Sequence, residues 1–486
     1  MVSTFRLPPF LSAMVLSLML AEVVSAFETS MLYSAMPTIS RESGDPVLAG
    51  WLVTSYLLSG AVSAALIGRM GDLYGRRRVL EIVLALSAVG SLISAVSRDL
   101  HIVILGRGMQ GLCAGVLPLA YGLVREHVLI KHVPLALSFV TMMAAVGAAV
   151  GLVLGGYLTQ HAHWSVLFQI TTIVPLLAIA AIRGTTPEGT RLARGPGRLD
   201  YLGGLLFASG VAAALIGISR GNDWGWASPA TMGVVGIGFA LVVIWGVYEY
   251  RHPNPMINVR LFAQRQLALV NLSCAALALG ALQVSLVFVM LLQQPIWTGI
   301  GLGVTATATG LLKLPSNLTG IVGGPLGGAI ASRLGSARLV AITGAACILL
   351  GFTAVSLFNS ETSSVVMCSM VIMLGVGLTY AALPILIAET APPERLSEIT
   401  GMLAVVRAGS MAIGTQIIVV LLAVSTVKRD GLSYPSPEAF HLVFLFTIVT
   451  SLLSLLGFCF LPRRGTPDAV TVSSSEGTRL HVQRPA

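Results

Sequence analysis

The chain has 486 residues, of which 55% are hydrophobic and only 10% are charged, and its formal net charge is +9. A soluble chain carries about a quarter charged residues, so this composition excludes an ordinary soluble protein and predicts an all-α polytopic membrane protein. The five cysteines fall inside apolar runs and form no CxxC pair, which predicts neither a disulfide nor a metal site.

Apolar runs recur along the whole chain, and many reach the roughly 20 residues that a helix needs to cross a bilayer. The first run follows Arg6 and resembles a cleaved signal peptide, but Glu22 interrupts it and it continues to Met36. We therefore interpret it as the first span. Fourteen spans are predicted, at about 11–34, 47–67, 79–97, 102–124, 134–158, 164–183, 201–219, 229–249, 267–292, 304–331, 339–358, 365–389, 400–426 and 441–461.

Arginine and lysine are unevenly shared between the two sides that these spans define. If the N-terminus is inside, the inside segments hold most of the basic residues, including Arg76–Arg78, whereas Arg41 and Lys428 are among the few outside. Because basic loops stay cytoplasmic, we expect both termini to be cytoplasmic. The bias accounts for the net charge, so no nucleic-acid partner is expected. A multi-pass plasma-membrane protein, in a bacterial inner membrane, is predicted.

The segment between the second and third spans reads GRMGDLYGRRRVL. Three successive arginines cannot lie in hydrocarbon, and Gly68 and Gly75 allow tight turns near other helices. With Asp72, Arg76 and Arg77, the segment resembles the signature loop of the major facilitator superfamily, which runs Gly, three residues, Asp, two residues, Gly, Arg, and Lys or Arg. A plain positively charged loop is the alternative interpretation.

This resemblance implies a major facilitator fold and places the loop beside the start of the thirteenth span, around Leu396–Gly401. Free amide groups at the start of a helix attract an anion. We therefore expect Asp72 to stabilise the state that is closed to the cytoplasm.

The spacing of the loop recurs, without the acid and the arginine triplet, at Gly328, Ser332 and Gly335. Together with the matching span order, this repeat predicts two six-helix bundles, with the seventh and eighth spans inserted between them. The predicted division is residues 1–190 for the N-terminal bundle, 191–262 for linkers and the two inserted helices, 263–461 for the C-terminal bundle and 462–486 for a polar cytoplasmic tail.

Further stretches resemble the fourteen-span drug:proton antiporter branch of this superfamily. In the first span Glu28 stands where the branch usually has Asp. The resemblance covers nearly the whole chain. Its matches are Ala35 and Pro37; Trp51, Thr54, Tyr56 and Leu57; Leu105, Arg107, Gln110, Gly111 and Gly115; Pro255–Phe262; Gly310 and Pro315; and Gly401, Arg407, Gly409 and Gly414.

The fifth span resembles the glycine-rich antiporter motif of the branch but departs from it at one position. Leu152 stands where the branch has proline, so the kink that proline gives is lost. The glycines still allow close helix packing. They are Gly147, Gly151, Gly155 and Gly156.

Ionisable groups within spans cost about 2.5–3.5 kcal/mol each on insertion scales. Glu28 and Arg107 lie at a similar depth near the outer side, where they are able to pair or to exchange partners. We expect Glu28 to carry the proton and Arg107 to modulate it, with Glu22 as the next candidate for the proton carrier. Glu22 and Lys313 lie nearer mid-membrane and a pair between them is an option, since Glu22 points about 120° away from Glu28. Arg407 lies near the cytoplasmic end of its span and is expected to snorkel.

The substrate cavity is expected to include aromatic, amide and basic side chains on central spans, although each alone is also explained by packing. The chain has no GxxxxGK[ST] motif, HExxH motif or nucleophile elbow, so no nucleotide, no cofactor and no enzymatic activity is expected. The candidate cavity residues are Tyr33, Tyr56, Gln110, Gln283, Lys313, Asn317, Tyr380 and Arg407.

The resemblance implies export of small amphipathic or cationic drugs through the lipid bilayer, in exchange for protons, by alternating access of two bundles. A dedicated exporter of one metabolite, peptide or lipid is the nearest alternative, and Leu152 and Lys313 suit it. A non-transporting sensor or scaffold is a further alternative, but it gives no reason for the buried charges.

Overall fold

The structure is a computed structural model, and its described residues form sixteen successive α-helices. The structure describes residues 9–129, 133–187, 200–253, 255, 259–260, 264–388, 396–429 and 432–462. The helices are α1 Pro9–Ser43, α2 Pro46–Tyr74, α3 Arg76–Val96, α4 Leu100–Gly111, α5 Val116–His127, α6 Val133–His161, α7 Ser165–Thr185, α8 Tyr201–Trp224, α9 Pro229–Arg251, α10 Arg265–Leu279, α11 Val284–Gln293, α12 Ala306–Leu334, α13 Ala337–Leu357, α14 Thr362–Ala388, α15 Leu396–Val424 and α16 Pro437–Cys459.

These helices make the fourteen predicted spans. Short 3-10 turns at Leu112–Gly115 and Ala281–Gln283 join α4 to α5 and α10 to α11 into single spans. Thirteen segments of the described chain are long and apolar enough to cross a membrane. The fourteenth is α12, which has 29 residues but whose hydropathy is lowered by polar residues such as Lys313 and Asn317. The all-α fold class is confirmed.

Two groups of helices pack as separate bundles. In the first, α1 packs on α6 and α3 on α7; in the second, α14 packs on α12 and α13, while α16 packs on α10 and α13. The bundles meet where α2 packs on α15 and α6 on α12. The inserted helices α8 and α9 pack on each other, and α8 also contacts α2 and α15. The division at residues 190 and 262 stays a prediction, because residues 188–199, 254, 256–258 and 261–263 lie outside the described chain, as does the tail from residue 463 onwards.

Local sequence sets where the helices begin and end. Asp45 accepts a hydrogen bond from the amide of Leu48 at 2.8 Å and so caps α2, whose first residue is Pro46. Gly75, at φ +96°, separates α2 from α3 in a backbone conformation that a side chain would strain. The arginine run therefore opens a new helix instead of extending the old one.

The two bundles together have two distinct ends along the direction of the helices. We call one the hairpin face, because β1 Thr426–Arg429 and β2 Leu432–Pro435 form an antiparallel hairpin there, an element that the sequence did not predict. The turn between α1 and α2 lies at this face, since the Arg41 guanidinium lies 6.0 Å from the Tyr434 ring centroid. The opposite end, which carries Arg76–Arg78, is the arginine face.

The two bundles are in contact in the half of the molecule next to the hairpin face. Gln293 Nε2 donates to the Ser34 carbonyl at 3.1 Å, and Thr307 Oγ1 donates to Gln160 Oε1 at 2.8 Å. Deeper in the same half, Thr54 on α2 donates to Gln416 Oε1 on α15 at 3.0 Å, with both residues buried. The structure therefore represents a conformation that is closed at the hairpin face.

The charge bias predicts that the arginine face is cytoplasmic. In a variant without native cysteines, we expect an impermeant maleimide applied to intact cells to label a cysteine placed at Asn359 but not one placed at Arg78. Both positions are exposed or half-exposed, and permeabilised cells should label both. The reverse pattern would show that the orientation is wrong.

Candidate transport site

Glu28 lies in the middle of α1 and is 1% exposed. Ser87 on α3 donates a hydrogen bond to its Oε1 at 2.5 Å, whereas its Oε2 is buried with no hydrogen-bond partner among the described residues. An ionised carboxylate normally accepts several hydrogen bonds, and burial with so few favours the neutral form of such a group. This site is therefore suited to holding a proton.

Arg107 lies on α4, just before the 3-10 turn, and is also 1% exposed. Its Nε donates to the Leu52 carbonyl at 3.1 Å and one terminal nitrogen donates to Gln110 Oε1 at 2.6 Å. The guanidinium lies 4.5 Å from the ring centroid of Tyr56, a cation–π distance. Its other terminal nitrogen is buried without a partner among the described residues.

Gln110 connects this arginine to two further helices. Its Nε2 donates to Ser91 on α3 and, at 3.4 Å, to Thr171 on α7. Tyr56 is fixed in a similar way, because its hydroxyl donates to the Ser25 carbonyl at 2.9 Å. Arg107 is thus held by a network that spans the N-terminal bundle.

Glu28 and Arg107 do not form an ion pair in this conformation. Among the described side chains no carboxylate lies within 4 Å of Arg107, and serine and glutamine hold the two groups separately. Each nevertheless retains one buried polar atom that has no hydrogen-bond partner in the described part of the chain. The arrangement leaves both groups free to exchange partners in another conformation.

The pair that the sequence allowed between Glu22 and Lys313 is also not formed. Lys313 Nζ instead donates to Ser369 Oγ on α14 at 3.0 Å and lies 5.2 Å from the ring centroid of Phe288. Glu22 is 7% exposed, and its Oε2 has no hydrogen-bond partner in the described chain. Similar depth in the membrane did not bring these two groups together.

Arg407 and Gln283, which were predicted to line the substrate cavity, have specific contacts inside the C-terminal bundle. The Arg407 guanidinium lies 5.3 Å from the Tyr380 ring centroid, so it stacks on an aromatic ring where the sequence predicted snorkelling. Gln283 Nε2 donates to the Met411 carbonyl at 2.8 Å, and its Oε1 accepts from Thr415 at 3.0 Å. Both ends of Gln283 therefore join helices in this conformation. Tyr33 is buried at 7% exposure.

The glycines of α6 mark two close helix contacts. A Cβ atom on Gly147 would lie 2.8 Å from the Val23 carbonyl oxygen of α1, and one on Gly151 would lie 2.8 Å from the Phe27 carbonyl oxygen. Gly155 faces α1 as well, whereas a Cβ on Gly156 would meet the backbone of Ala306 in α12 at 2.2 Å. The motif packs α6 against α1 on one side and against the other bundle on the other. Helix α6 continues through Leu152, which is buried.

The loop at the arginine face is tied to neighbouring helices by its arginines. Arg76 donates to Glu126 Oε1 on α5 at 2.6 Å, and Arg77 donates to Glu81 at 3.0 Å and to the Thr186 carbonyl at 2.5 Å. Gly68 packs against Pro118 of α5.

The structure does not describe the side chain of Asp72. Of Leu396–Gly401 it describes the helical backbone and, among the side chains, only Ile399. The expected contact between Asp72 and the start of α15 therefore stays a prediction.

Several partners in this site were missed by sequence reasoning. Ser87, Ser91 and Ser369 hold the buried acid, amide and amine, and Glu126 holds the loop arginine. Serines are common in membrane helices as helix–helix contacts, so nothing in their sequence context distinguishes them.

Comparison with known proteins identifies the family to which this chain belongs. The family model described as Major Facilitator Superfamily matches residues 18–415. The chain belongs to the Major Facilitator Superfamily. It is a multi-pass protein of the cell membrane, and some of the proteins to which it is similar are named as multidrug transporter or multidrug resistance proteins.

Two relatives and one solved structure illustrate the likeness. An uncharacterized MFS-type transporter of Mycobacterium tuberculosis is 28% identical over 405 residues, which are 82% of this chain and 58% of that protein. The multidrug transporter protein MdtP of Bacillus subtilis is 26% identical over 392 residues, 80% of this chain and 71% of that protein. The crystal structure of an auto-inhibited POT family peptide transporter has a TM-score of 0.64 at 16% identity, covering 94% of this chain and 98% of the other. The match thus spans less than two thirds of the first relative.

Proposed function

We propose that this transporter exports small amphipathic or cationic drugs in exchange for protons, by alternating access between its two bundles. The name of the Bacillus subtilis relative supports multidrug export. The observation that supports proton exchange is the buried Glu28 carboxyl, which has one hydrogen-bond donor, Ser87, among the described residues. The arginine face is taken as cytoplasmic, so that the substrate leaves at the hairpin face.

Alternating access requires that proton and substrate bias the same two-state element. In this proposal that element is the pair of contacts between α2 and α15 and between α6 and α12. Their closure at the hairpin face corresponds to the state that loads substrate from inside. Protonation of Glu28 and movement of Arg107 relative to it would then accompany the change of state.

Inside-out membrane vesicles test the coupling directly. With an imposed pH gradient, acid inside, we expect ethidium to accumulate in vesicles that contain the protein and to release part of the gradient, as measured by a pH-sensitive dye. Vesicles without the protein give the background. Accumulation that persists after an uncoupler removes the gradient would contradict proton exchange.

A dedicated exporter of one metabolite is the second candidate. The observation that favours it is the buried Lys313, because a positively charged side chain would repel a cationic substrate. A panel of cationic and acidic compounds in the same vesicle assay separates the two, because a dedicated exporter would respond to one chemical class only.

A further inference from the structure

Lys313 on α12 is a buried amine with no acidic partner among the described residues. It is 1% exposed, and its contacts are the Ser369 hydroxyl at 3.0 Å and the Phe288 ring at 5.2 Å. An ammonium group has three N–H donors, so one hydroxyl leaves most of them unused. A charge buried in this way is costly unless an anion compensates it.

A second unused donor lies one helical turn away. Asn317 is four residues further along α12, on the same side of the helix, and is 8% exposed. Its Nδ2 is buried with no hydrogen-bond partner in the described chain. The side-chain amide and the amine thus form a group of donors, with the Ser369 hydroxyl beside them.

These donors lie close to the seam between the bundles. A Cβ atom on Gly310 would lie 2.7 Å from the backbone of Leu152 and Val153 in α6, so Gly310 marks the side of α12 that faces the other bundle. Seven residues turn a helix by roughly 700°, which puts Asn317 within about 20° of that side and two turns nearer the arginine face. Lys313 lies roughly 60° from it by the same geometry.

We propose that Lys313 and Asn317 form an anion subsite for the carboxylate of an amphipathic substrate, with Phe288 contacting its apolar part. This inference rests on the proposed export function and names a substrate class for it. Two donors of different kinds, one charged, suit a carboxylate because its two oxygens accept hydrogen bonds from both. The subsite lies in the C-terminal bundle, apart from the Glu28 and Arg107 network.

Binding of a matched pair of probes tests the proposal without any pH gradient. Dansyl-undecanoate and its methyl ester differ only in the negative charge, and dansyl fluorescence reports their binding to the full-length protein in phosphatidylcholine nanodiscs. We expect the acid to bind at least about tenfold more tightly than the ester, as a charge-assisted contact implies. Lys313→Met should remove this preference and leave ester binding unchanged, while Lys313→Arg should keep most of it.

Two further variants keep the test decisive. Asn317→Asp preserves shape but adds repulsion, so it should weaken binding of the acid alone; Lys428→Met removes an exposed lysine of the hairpin and should change nothing. The inference is overturned if the wild type does not prefer the acid, or if Lys313→Met keeps the preference.

Loss of acid binding when phosphatidylglycerol is added would assign the subsite to a lipid headgroup and overturn the substrate assignment. Glu28→Gln should retain the preference, so failure of proton coupling is distinguishable.

Discussion

Replacing Glu28 by glutamine should strongly reduce the uptake of ethidium that a pH gradient drives in inside-out vesicles. Glutamine keeps the shape and accepts the hydrogen bond from Ser87, but it cannot release or bind a proton. Coupling free energies between two sites are typically about 1–3 kcal/mol, so we expect gradient-driven transport to fall by about fivefold to 150-fold. Downhill exchange of substrate should remain measurable.

Three variants separate this result from simple damage. Glu28→Asp restores the residue that is usual in the antiporter branch and should keep part of the activity. Glu22→Gln removes the other buried acid of α1, and Glu361→Gln removes an exposed acid as a matched control. If Glu28→Gln still pumps against a gradient while Glu22→Gln does not, the proton carrier is Glu22.

Replacing Gly310 by valine should destabilise the conformation that is closed at the hairpin face. The added Cβ would lie 2.7 Å from the Leu152 carbonyl oxygen and from the Val153 Cα, and backbone atoms cannot move aside as a flexible side chain can. Overpacking typically costs about 1–3 kcal/mol, which changes the ratio of the two states by roughly a factor of ten per 1.4 kcal/mol. Transport should fall accordingly.

Cross-linking measures this change of state. In a variant without native cysteines, cysteines at Gln160 and Thr307, whose side chains are hydrogen-bonded, should be joined by a short bismaleimide, and Gly310→Val should lower the yield. Gly328→Val is the matched control on the same helix, because no atom of the described residues lies within 4 Å of its added Cβ. Equal yields from both valine variants would refute the steric argument.

The sequence predicted the helices well because hydropathy and glycine spacing are local properties. It did not predict which buried side chains are in contact, because contact depends on the direction in which each side chain points around its helix axis. Glu28 and Arg107 share a depth, and so do Glu22 and Lys313, but depth fixes only the height of a side chain. The Glu28 partner, Ser87, lies 59 residues further along the chain in an apolar run, where a serine carries no distinguishing signal. The hairpin between α15 and α16 was missed because each of its strands has only four residues, too few to give a clear alternating pattern.

The position of the inserted helices makes the molecule asymmetric with respect to the surrounding lipid. Helix α8 spans the junction of α2 and α15, because Trp51 Nε1 donates to Ser219 at 3.3 Å and a Cβ on Gly409 would meet Phe207 at 3.2 Å. Acyl chains on that flank therefore meet α8 and α9, whose other main contacts are with each other. A compound dissolved in the lipid leaflet therefore cannot enter directly between α2 and α15, because α8 and α9 cover that junction. The junction of α6 and α12 has no such covering pair among the described helices, so lateral entry from the lipid is left uncovered on that side.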